Sequence, residues 1–219
     1  MKITVVYDNE VKMKGRKLKA GWGFSSLIET ANTPPILFDT GADSAILLHN
    51  MKELGIDAKG IGIVVISHAH GDHTGGLRGL LEVNKQAEVY VPASLWGSIL
   101  GRKITTVTEP IQISEEVFST GELKGVEQSL AIKTDKGVLV MVGCSHPGVG
   151  EIMDTASRFG KVYGVIGGFH GFHDFSRLRG LSLIVPCHCT QYKSEILELF
   201  PQQCVGCGTG LVLEQQYHA

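Results

Sequence analysis

Three of the chain's nine histidines lie within six residues, in the stretch Ser67-His68-Ala69-His70-Gly71-Asp72-His73-Thr74-Gly75-Gly76. The apolar run before this stretch, residues 61–66, is typical of a fully buried strand. The glycines at its end lead into a helical pattern that begins at Leu77. The histidines therefore follow the carboxyl end of a predicted strand, which is where open α/β sheets place their ligand sites.

The spacing of this cluster suits metal binding. His68 and His70 point to the same side of an extended segment, because side chains alternate with a period of two. The turn at Gly71 then directs Asp72 and His73 toward a second position. The cluster predicts one or two divalent metal ions as cofactors, about 3.5–4 Å apart if there are two. Zn²⁺ is the preferred ion, with Mn, Fe or Mg as alternatives. The other interpretation is a polar loop with incidental histidines, and the compactness of the cluster argues against it.

The composition and charge limit the kind of partner. The chain has 219 residues, of which 43% are hydrophobic and 19% charged, so it can bury a substantial core. Its formal net charge is −2 and it has no long basic run, which predicts that nucleic acid is not a partner. The basic segment 12–19 is short and interrupted by a glycine. We interpret it as a solvated loop that favours an anionic ligand.

Other features concern location and domain organisation. No apolar run reaches the roughly 18–20 residues that cross a bilayer, so we expect no membrane association. A predicted strand at residues 2–7 leaves no room for a signal peptide. Five cysteines, an odd number, favour a reducing, cytoplasmic setting. No linker or repeat divides the chain, so residues 1–219 are predicted to form a single domain. The oligomeric state is left open.

Strand and helix patterns alternate in both halves of the chain. The first half predicts strands near residues 2–7, 23–29, 36–38, 61–67 and 88–91, with helices near 44–54, after 77, and near 93–100. Further strands are predicted near residues 104–107 and 111–113. In the second half, Asp135-Lys136-Gly137 indicates a hairpin between strands 130–134 and 138–142. The second half also contains predicted helices at residues 149–159 and 191–200 and predicted strands at residues 162–166 and 183–185. This pattern predicts an α/β fold, and periodicity alone does not separate a four-layer sandwich from a doubly wound sheet.

Several further motifs carry a family resemblance. They are Leu37-Phe38-Asp39-Thr40-Gly41, Gly143-Cys144-Ser145-His146, Gly167-Gly168-Phe169-His170 and Pro186-Cys187-His188-Cys189-Thr190. Together with the histidine cluster, they make the chain resemble the metallo-β-lactamase superfamily. Within it, the chain is similar to the branch related to 7,8-dihydropterin-6-methyl-4-(β-D-ribofuranosyl)aminobenzene 5′-phosphate synthase. The resemblance implies a four-layer αββα sandwich with two mixed sheets.

The resemblance also implies a set of site residues. The first metal site of the superfamily corresponds to His68, His70 and a later histidine, for which we choose His146. The second corresponds to Asp72, His73 and His188. Asp72 and His170 are the predicted catalytic residues, and His170 follows a Gly-Gly pair that lets a substrate approach the backbone.

One position departs from the pattern of the hydrolases. Superfamily hydrolases usually have a Gly-Asp pair whose carboxylate bridges the metals, whereas this chain has Gly143-Cys144. A thiolate can bridge softer metals, and a neutral thiol leaves the bridge to water. The sequence leaves open whether Cys144 or Glu127 contacts metal.

The implied activity is a metal-dependent transfer. A dihydropterin-6-ylmethyl diphosphate would lose diphosphate to an aminobenzene ribofuranosyl phosphate, with basic residues holding the phosphates (Lys12, Lys14, Arg177 and Arg179). The predicted partner is thus a small, phosphorylated, anionic substrate. The alternative is a metal-dependent hydrolase of a phosphoester, thioester or lactone. A non-catalytic binding protein is a third hypothesis, and the nearly complete ligand set argues against it.

Two groups of residues keep more than one interpretation. Asp39 either orients a ligand histidine or caps the helix that begins near Ser44. The pairs Cys187/Cys189 and Cys204/Cys207 are interpreted as small buried apolar residues, with a four-thiolate metal site as the rival. His49, alone on a predicted helix, is interpreted as a surface or packing residue.

Overall fold

The computed structural model describes residues 1–95 and 104–214. The strands in these residues are β1 (Lys2–Tyr7), β2 (Ser25–Glu29), β3 (Ile36–Phe38), β4 (Ile63–Val65), β5 (Glu88–Pro92), β6 (Ile104–Val107), β7 (Ile111–Gln112), β8 (Val117–Ser119), β9 (Leu130–Thr134), β10 (Gly137–Val142), β11 (Val162–Gly168), β12 (Leu183–Cys187) and β13 (Val212–Glu214). The α-helices are α1 (Ser44–Leu54), α2 (Gly71–Thr74), α3 (Leu77–Val83), α4 (Val149–Ala156) and α5 (Lys193–Leu199). Short 3₁₀ helices cover Ala58–Gly60, Ser157–Phe159 and Phe175–Leu178.

The strands form two mixed sheets. The first has the order β13-β1-β2-β3-β4-β5-β6, and the second has the order β12-β11-β10-β9-β8-β7. Strands β3 to β6 are parallel to one another, as are β10 to β12, while the remaining pairs are antiparallel. Each sheet therefore has a parallel part whose carboxyl ends meet at one edge.

The alternation of side chains along the strands builds the layers. In β10, Leu139 and Met141 face the other sheet and join a core with Ile36, Phe38 and Val65 of the first sheet. The intervening residues of β10 point to the opposite face, where they pack against helix α4 and Ile196 of α5. The first sheet likewise covers its outer face with α1 and α3. Two facing sheets with helices on both outer sides confirm the predicted four-layer αββα sandwich.

Helix α1 has clear signals at both ends. The Asp43 side chain accepts hydrogen bonds from the backbone N–H groups of Ala45 and Ile46. At the other end, Gly55 takes the left-handed conformation that favours glycine, with a φ of 74°. Asp43 therefore caps this helix, which leaves Asp39 free for another role.

The structure also corrects several predicted elements. The hairpin between β9 and β10 is confirmed, and most predicted strands are present. The strands β8 and β13 and the short helix α2 were not predicted, because each has only three or four residues and little periodicity. The helix predicted near residues 93–100 lies mostly outside the described residues. Among the described helices, none has the length and apolar character needed to cross a bilayer. The single-domain assignment stays a prediction.

The Asn84 side chain connects the segment before β4 to the segment after α3. Its Nδ2 donates to the backbone carbonyls of Ala58 and Ile61, at 2.9 and 2.7 Å. Its Oδ1 accepts hydrogen bonds from the backbone N–H groups of Gln86 and Ala87, at 3.0 and 2.9 Å. The side chain is 1% exposed, so it satisfies backbone groups that water reaches poorly.

We expect Asn84→Ala to lower the free energy of unfolding by about 2–4 kcal/mol, because several buried backbone groups lose their partner. Urea denaturation of both proteins measures the difference. The control is Asn32→Ala, at an exposed asparagine, which should change stability by less than about 0.5 kcal/mol. Equal losses in the two variants would contradict the role assigned to Asn84.

Candidate metal centre

The predicted ligand residues follow the carboxyl ends of strands from both sheets. His68 follows β4 in the first sheet, and His146 and His188 follow β10 and β12 in the second. His73 lies in the short helix α2, immediately after the histidine-rich turn. Because the two sheets face each other, these loops meet at one edge of the sandwich. The fold thus brings together residues that are up to 120 positions apart in the chain.

The first ligand group consists of His68, His70 and His146. One ring nitrogen from each lies within 4.8 Å of the others. His68 Nε2 is 3.1 Å from His70 Nδ1, and the ring centroids of His68 and His146 are 4.8 Å apart. His146 Nε2 is buried and has no hydrogen-bond partner in the described structure. A buried imidazole nitrogen without a hydrogen-bond partner, close to two other imidazoles, fits a metal ligand.

The second ligand group consists of Asp72, His73, Cys144 and His188, whose ligand atoms also lie within 4.8 Å of one another. His73 Nε2 is 3.1 Å from Cys144 Sγ. His188 Nε2 is 3.0 Å from Asp72 Oδ2. All six predicted ligands are therefore brought together, in the two groups that the resemblance implies, and Cys144 joins the second group.

Residues outside the two groups orient the histidines. The Asp39 carboxylate accepts from His73 Nδ1 at 2.6 Å and from the Ser67 hydroxyl at 2.7 Å. Since the Ser67 proton is directed to Asp39, its oxygen accepts from His68 Nδ1, at 2.8 Å. Asn9 Oδ1 accepts from His188 Nδ1 at 2.9 Å. These contacts favour the proton on Nδ1, the nitrogen that faces away from the centre, in His68, His73 and His188.

The resulting protonation pattern fits divalent metal ions. With the proton on Nδ1, the Nε2 atoms of His68, His73 and His188 face the centre and are available to bind metal, and His146 Nε2 has no hydrogen-bond partner in the described structure. Outer hydrogen bonds of this kind are the usual means of fixing metal-bound imidazoles. The remaining donors are one carboxylate and one thiol, which divalent transition metals also accept. The donor set therefore supports the metal cofactors that the sequence predicts.

An open cavity lies next to the first ligand group. It has a volume of about 350 Å³ and is lined by His146, His170, Phe172 and Asp174, among others. The His170 ring centroid is 5.2 Å from that of His146. His170 is exposed. The predicted catalytic histidine thus lies beside the ligand groups, at the wall of a space that can hold a small molecule.

Comparison with known proteins agrees with this geometry. The chain is 30% identical over 241 residues to the 7,8-dihydropterin-6-methyl-4-(β-D-ribofuranosyl)-aminobenzene-5′-phosphate synthase of Methanocaldococcus jannaschii, covering 79% of this chain and 82% of that protein. Residues 20–95 match the model of the metallo-β-lactamase superfamily. The chain belongs to this superfamily. Members of the superfamily use divalent metals, in keeping with the two ligand groups found here.

Two other relatives cover the chain almost fully. An uncharacterized protein of Methanocaldococcus jannaschii is 27% identical and covers 88% of this chain and 91% of its own length. The crystal structure of Tm1679, a metal-dependent hydrolase of the β-lactamase superfamily, has a TM-score of 0.77 and 27% identity. That alignment covers 99% of this chain and 100% of Tm1679. The metallo-β-lactamase fold thus extends over nearly the whole sequence.

Burial and neighbouring histidines favour neutral imidazoles at the centre. Burial and the adjacent His70 lower the pKa of His146 to about 4. Burial and His73 lower the pKa of His188 to about 4. Burial opposes protonation of His73 as well, yet its Asp39 partner raises the pKa of His73 overall. Neutral imidazole is the form that binds metal, so most of the cluster is prepared for ligation.

Strained backbone is concentrated at the centre. Five non-glycine residues in the described chain have a positive φ, and four of them lie at the site: Asp39 (58°), Ser145 (60°), His170 (44°) and His188 (45°). Such conformations cost free energy and persist only where the surroundings enforce them. The strain supports a functional role for the loops that carry these residues.

The sequence left open whether Glu127 contacts metal, and the structure places it against the loop that follows β10. Its side chain is fully buried, and Oε1 accepts from the backbone N–H groups of Gly143, Cys144 and Ser145 at 3.0–3.1 Å. Oε2 accepts from the backbone N–H of His146 at 2.9 Å. Glu127 thus shapes the loop that presents Cys144 and His146, and it belongs to neither ligand group. A lone glutamate in a polar stretch gave no signal of this role.

Asp8 and Asn9 act in the same way on His188. Asp8 Oδ2 accepts from the backbone N–H of His188 at 2.9 Å, and Asn9 Nδ2 donates to its carbonyl at 3.0 Å. The sequence analysis assigned neither residue an individual role. Their position immediately after β1 places them at the same sheet edge as the metal ligands.

Two of the four cysteines that were interpreted as small buried apolar residues are buried but bonded to each other. Cys187 and Cys207 form a disulfide, with their Cα atoms 5.1 Å apart. A backbone bridge between Ile184 and Cys204 lays the C-terminal segment beside β12, a long-range pairing that residue spacing does not reveal. The prediction is wrong for this pair, and Cys189 and Cys204 remain free. The cytoplasmic location, which rested partly on the odd number of cysteines, stays a prediction.

The contacts of two further residues lie outside both ligand groups. The guanidinium of Arg177 pairs with Asp154 and donates to the carbonyl of Gly150 on α4. This contact uses Arg177 on the outer helical layer and argues against its predicted role in holding a substrate phosphate. His49 lies on α1, where Nε2 contacts the carbonyl of Lys17 at 2.6 Å, in keeping with its interpretation as a surface or packing residue.

We expect Asp39→Asn to weaken metal binding by about 10- to 100-fold. The amide nitrogen of asparagine cannot accept the hydrogen bonds that the second carboxylate oxygen accepts from His73 and Ser67. Competition with a chromophoric chelator measures the affinity. The matched control is Asp43→Ala, which removes the cap of α1 and should cost about 1 kcal/mol of stability. Its metal affinity should stay unchanged. Equal metal affinity in Asp39→Asn and the unmodified protein would refute the role of Asp39.

Proposed function

We propose that the protein is a metal-dependent transferase that joins an arylamine to a dihydropterin with release of diphosphate. The observation that carries this proposal is the thiol of Cys144 within the second ligand group, 3.1 Å from His73 Nε2. The hydrolases of the superfamily usually have a carboxylate at this position. A single soft sulfur would hold a metal-bridging hydroxide less well than a carboxylate with two hard oxygens. A site without a well-held hydroxide suits a reaction in which an external amine is the nucleophile. The 30% identity to the pterin synthase supports the same reaction.

The two ligand groups are proposed to hold the metals. His68, His70 and His146 would bind one ion, and a second would be bound by Asp72, His73, Cys144 and His188. We propose Zn²⁺, with Mn, Fe or Mg as alternatives. When bound, the ions would neutralise the negative charge of the departing diphosphate.

The transfer forms one bond and breaks another. The arylamine nitrogen bonds to the methylene carbon of the dihydropterin, and the bond from that carbon to the diphosphate oxygen breaks. The electron pair leaves with the diphosphate, and the nitrogen loses a proton. We propose that His170 accepts this proton, since its exposed imidazole lines the cavity beside His146. The cavity would align the amine with the carbon.

Asp72 is the second proposed catalytic residue. Its carboxylate is 19% exposed, unlike the fully buried side chains of His73 and His188 in the same group. It therefore faces both the ligand atoms and the solvent side of the site. We propose that Asp72 binds metal and also contacts the substrate at its reacting end.

Hydrolysis of a phosphoester, thioester or lactone is the second candidate. The observation that favours it is the likeness to Tm1679, a metal-dependent hydrolase with a TM-score of 0.77 and 27% identity to this chain. The same ligand groups and cavity would serve this reaction, with water replacing the arylamine. The two candidates differ in whether product formation requires the amine.

We expect the metal-loaded protein to release diphosphate only when the dihydropterin diphosphate and the arylamine are both present. A coupled diphosphate assay, with and without a chelator, measures this. Cys144→Asp should raise release in the absence of amine, because it restores a hard anionic ligand. Cys204→Ser, at a free thiol outside both ligand groups, is the control and should behave as the unmodified protein. Equal release without amine in the unmodified protein would favour the hydrolase.

We expect His170→Gln to lower kcat by about 100-fold, since it removes the proposed proton acceptor. Metal content should be unchanged, because His170 belongs to neither ligand group. The matched control is His49→Gln on α1, which should leave kcat unaltered. Full activity in His170→Gln would remove the residue from the proposed mechanism.

A further inference from the structure

Trp22 is a large aromatic side chain left open to solvent at the edge of the second ligand group. It is 62% exposed, the highest value among the exposed large apolar residues of the described chain. Its ring centroid lies 4.8 Å from that of His188, at an interplanar angle of 61°. An indole therefore stands at the mouth of the centre, where it contacts a ligand histidine and still offers most of its surface.

The backbone around Trp22 is held on both sides. The N–H of Gly21 donates to the Asp8 carbonyl at 3.1 Å, and the N–H of Gly23 donates to Asn9 Oδ1 at 3.1 Å. Gly23 has a φ of 143°, and a Cβ there would lie 2.5 Å from the carbonyl oxygen of Asp72. Glycine at this position thus lets the loop lie directly on the ligand motif.

The same groups hold the backbone next to Trp22 and the second ligand group. Asn9 Oδ1 accepts from Gly23 and from His188 Nδ1, and the Asp72 carbonyl accepts from the N–H of Phe24 at 3.3 Å. The backbone on either side of Trp22 is therefore held against the segments that carry His188 and Asp72, and the indole contacts the His188 ring. This arrangement presents a mostly exposed aromatic surface beside a ligand histidine, where a planar ring can stack on it.

We propose that Trp22 stacks against the planar heteroaromatic ring of the substrate. This inference rests on the proposed function, in which that ring is a pterin. Stacking buries the exposed indole and pairs two flat aromatic surfaces. A substituent on the stacked ring then extends toward Asp72 and His188, where the leaving diphosphate is proposed to be held. Trp22 is thus a specificity-determining residue that selects planar ring systems.

The first test measures binding without turnover. The probe is 6-hydroxymethylpterin, which carries the ring and has no diphosphate, added to the metal-loaded protein. The chain has two tryptophans, so Trp96→Phe leaves Trp22 as the single indole. We expect saturable quenching of its fluorescence beyond that of free tryptophan at equal absorbance. Absence of saturable quenching would overturn the proposal.

The second test compares variants by calorimetry with the same probe. Trp22→Ala should raise the Kd by about 5- to 100-fold, the range expected for losing one ring-on-ring contact. Trp22→Phe should recover part of the affinity. Leu199→Ala, at a residue that is 58% exposed on α5, is the matched control and should leave the Kd unchanged. An unchanged Kd in Trp22→Ala would overturn the proposal, and thermal melts verify that each variant is folded.

Steady-state kinetics separate this inference from the proposed function. In the diphosphate assay, Trp22→Ala should raise KM for the dihydropterin diphosphate and change kcat by less than about threefold. Pterin binding that depends on Trp22, with release independent of arylamine, supports the stacking role and overturns the transferase. Amine-dependent release with an unchanged KM in Trp22→Ala supports the transferase and overturns the stacking role.

Discussion

The carboxylate of Asp39 is the contact on which the rest of the centre depends. It is fully buried, and it accepts from the backbone N–H of Ser67 at 2.7 Å, from the Ser67 hydroxyl and from His73 Nδ1. Through Ser67 it also sets the proton of His68. One buried anion therefore ties the end of β3 to the end of β4 and orients a histidine in each ligand group. A buried carboxylate is stable only with such a complete set of donors.

The same principle recurs in the loops of the second sheet. Glu127 accepts hydrogen bonds from four consecutive backbone N–H groups of the loop after β10. Asp8 accepts one from the backbone N–H of His188, which follows β12. Gln128, next to Glu127, donates to the carbonyls of Ile66 and Ser67 in the first sheet. Buried polar side chains thus offset the strain of the left-handed residues and fix the two sheets relative to each other at the metal edge. This rigidity is what a site with several ligands requires.

Sequence patterns predicted much of the fold because its elements carry strong local signals. The apolar run before the histidine cluster, the hairpin around Gly137 and the helix that follows β10 all appear where their periodicity places them. The short strands β8 and β13 lacked such signals. The six predicted ligands meet because each follows a strand whose carboxyl end faces the same edge. Their metal-binding role stays a prediction, supported by the inward-facing nitrogens.

The sequence by itself determined the α/β class, because local periodicity is visible along the chain. Its motifs also carried the family resemblance that implied the four-layer sandwich and the candidate metal ligands. Only the tertiary structure decided which partners complete the centre. Asp39 binds His73 and does not cap a helix, and Glu127 binds the backbone of the loop that carries Cys144. Asn9 accepts from His188, whose ring also contacts Trp22. The tertiary structure also decided the Cys187–Cys207 pairing. These contacts join residues far apart in the chain. The spacing of residues along one strand reflects local structure only, so it cannot predict a hydrogen bond between distant segments.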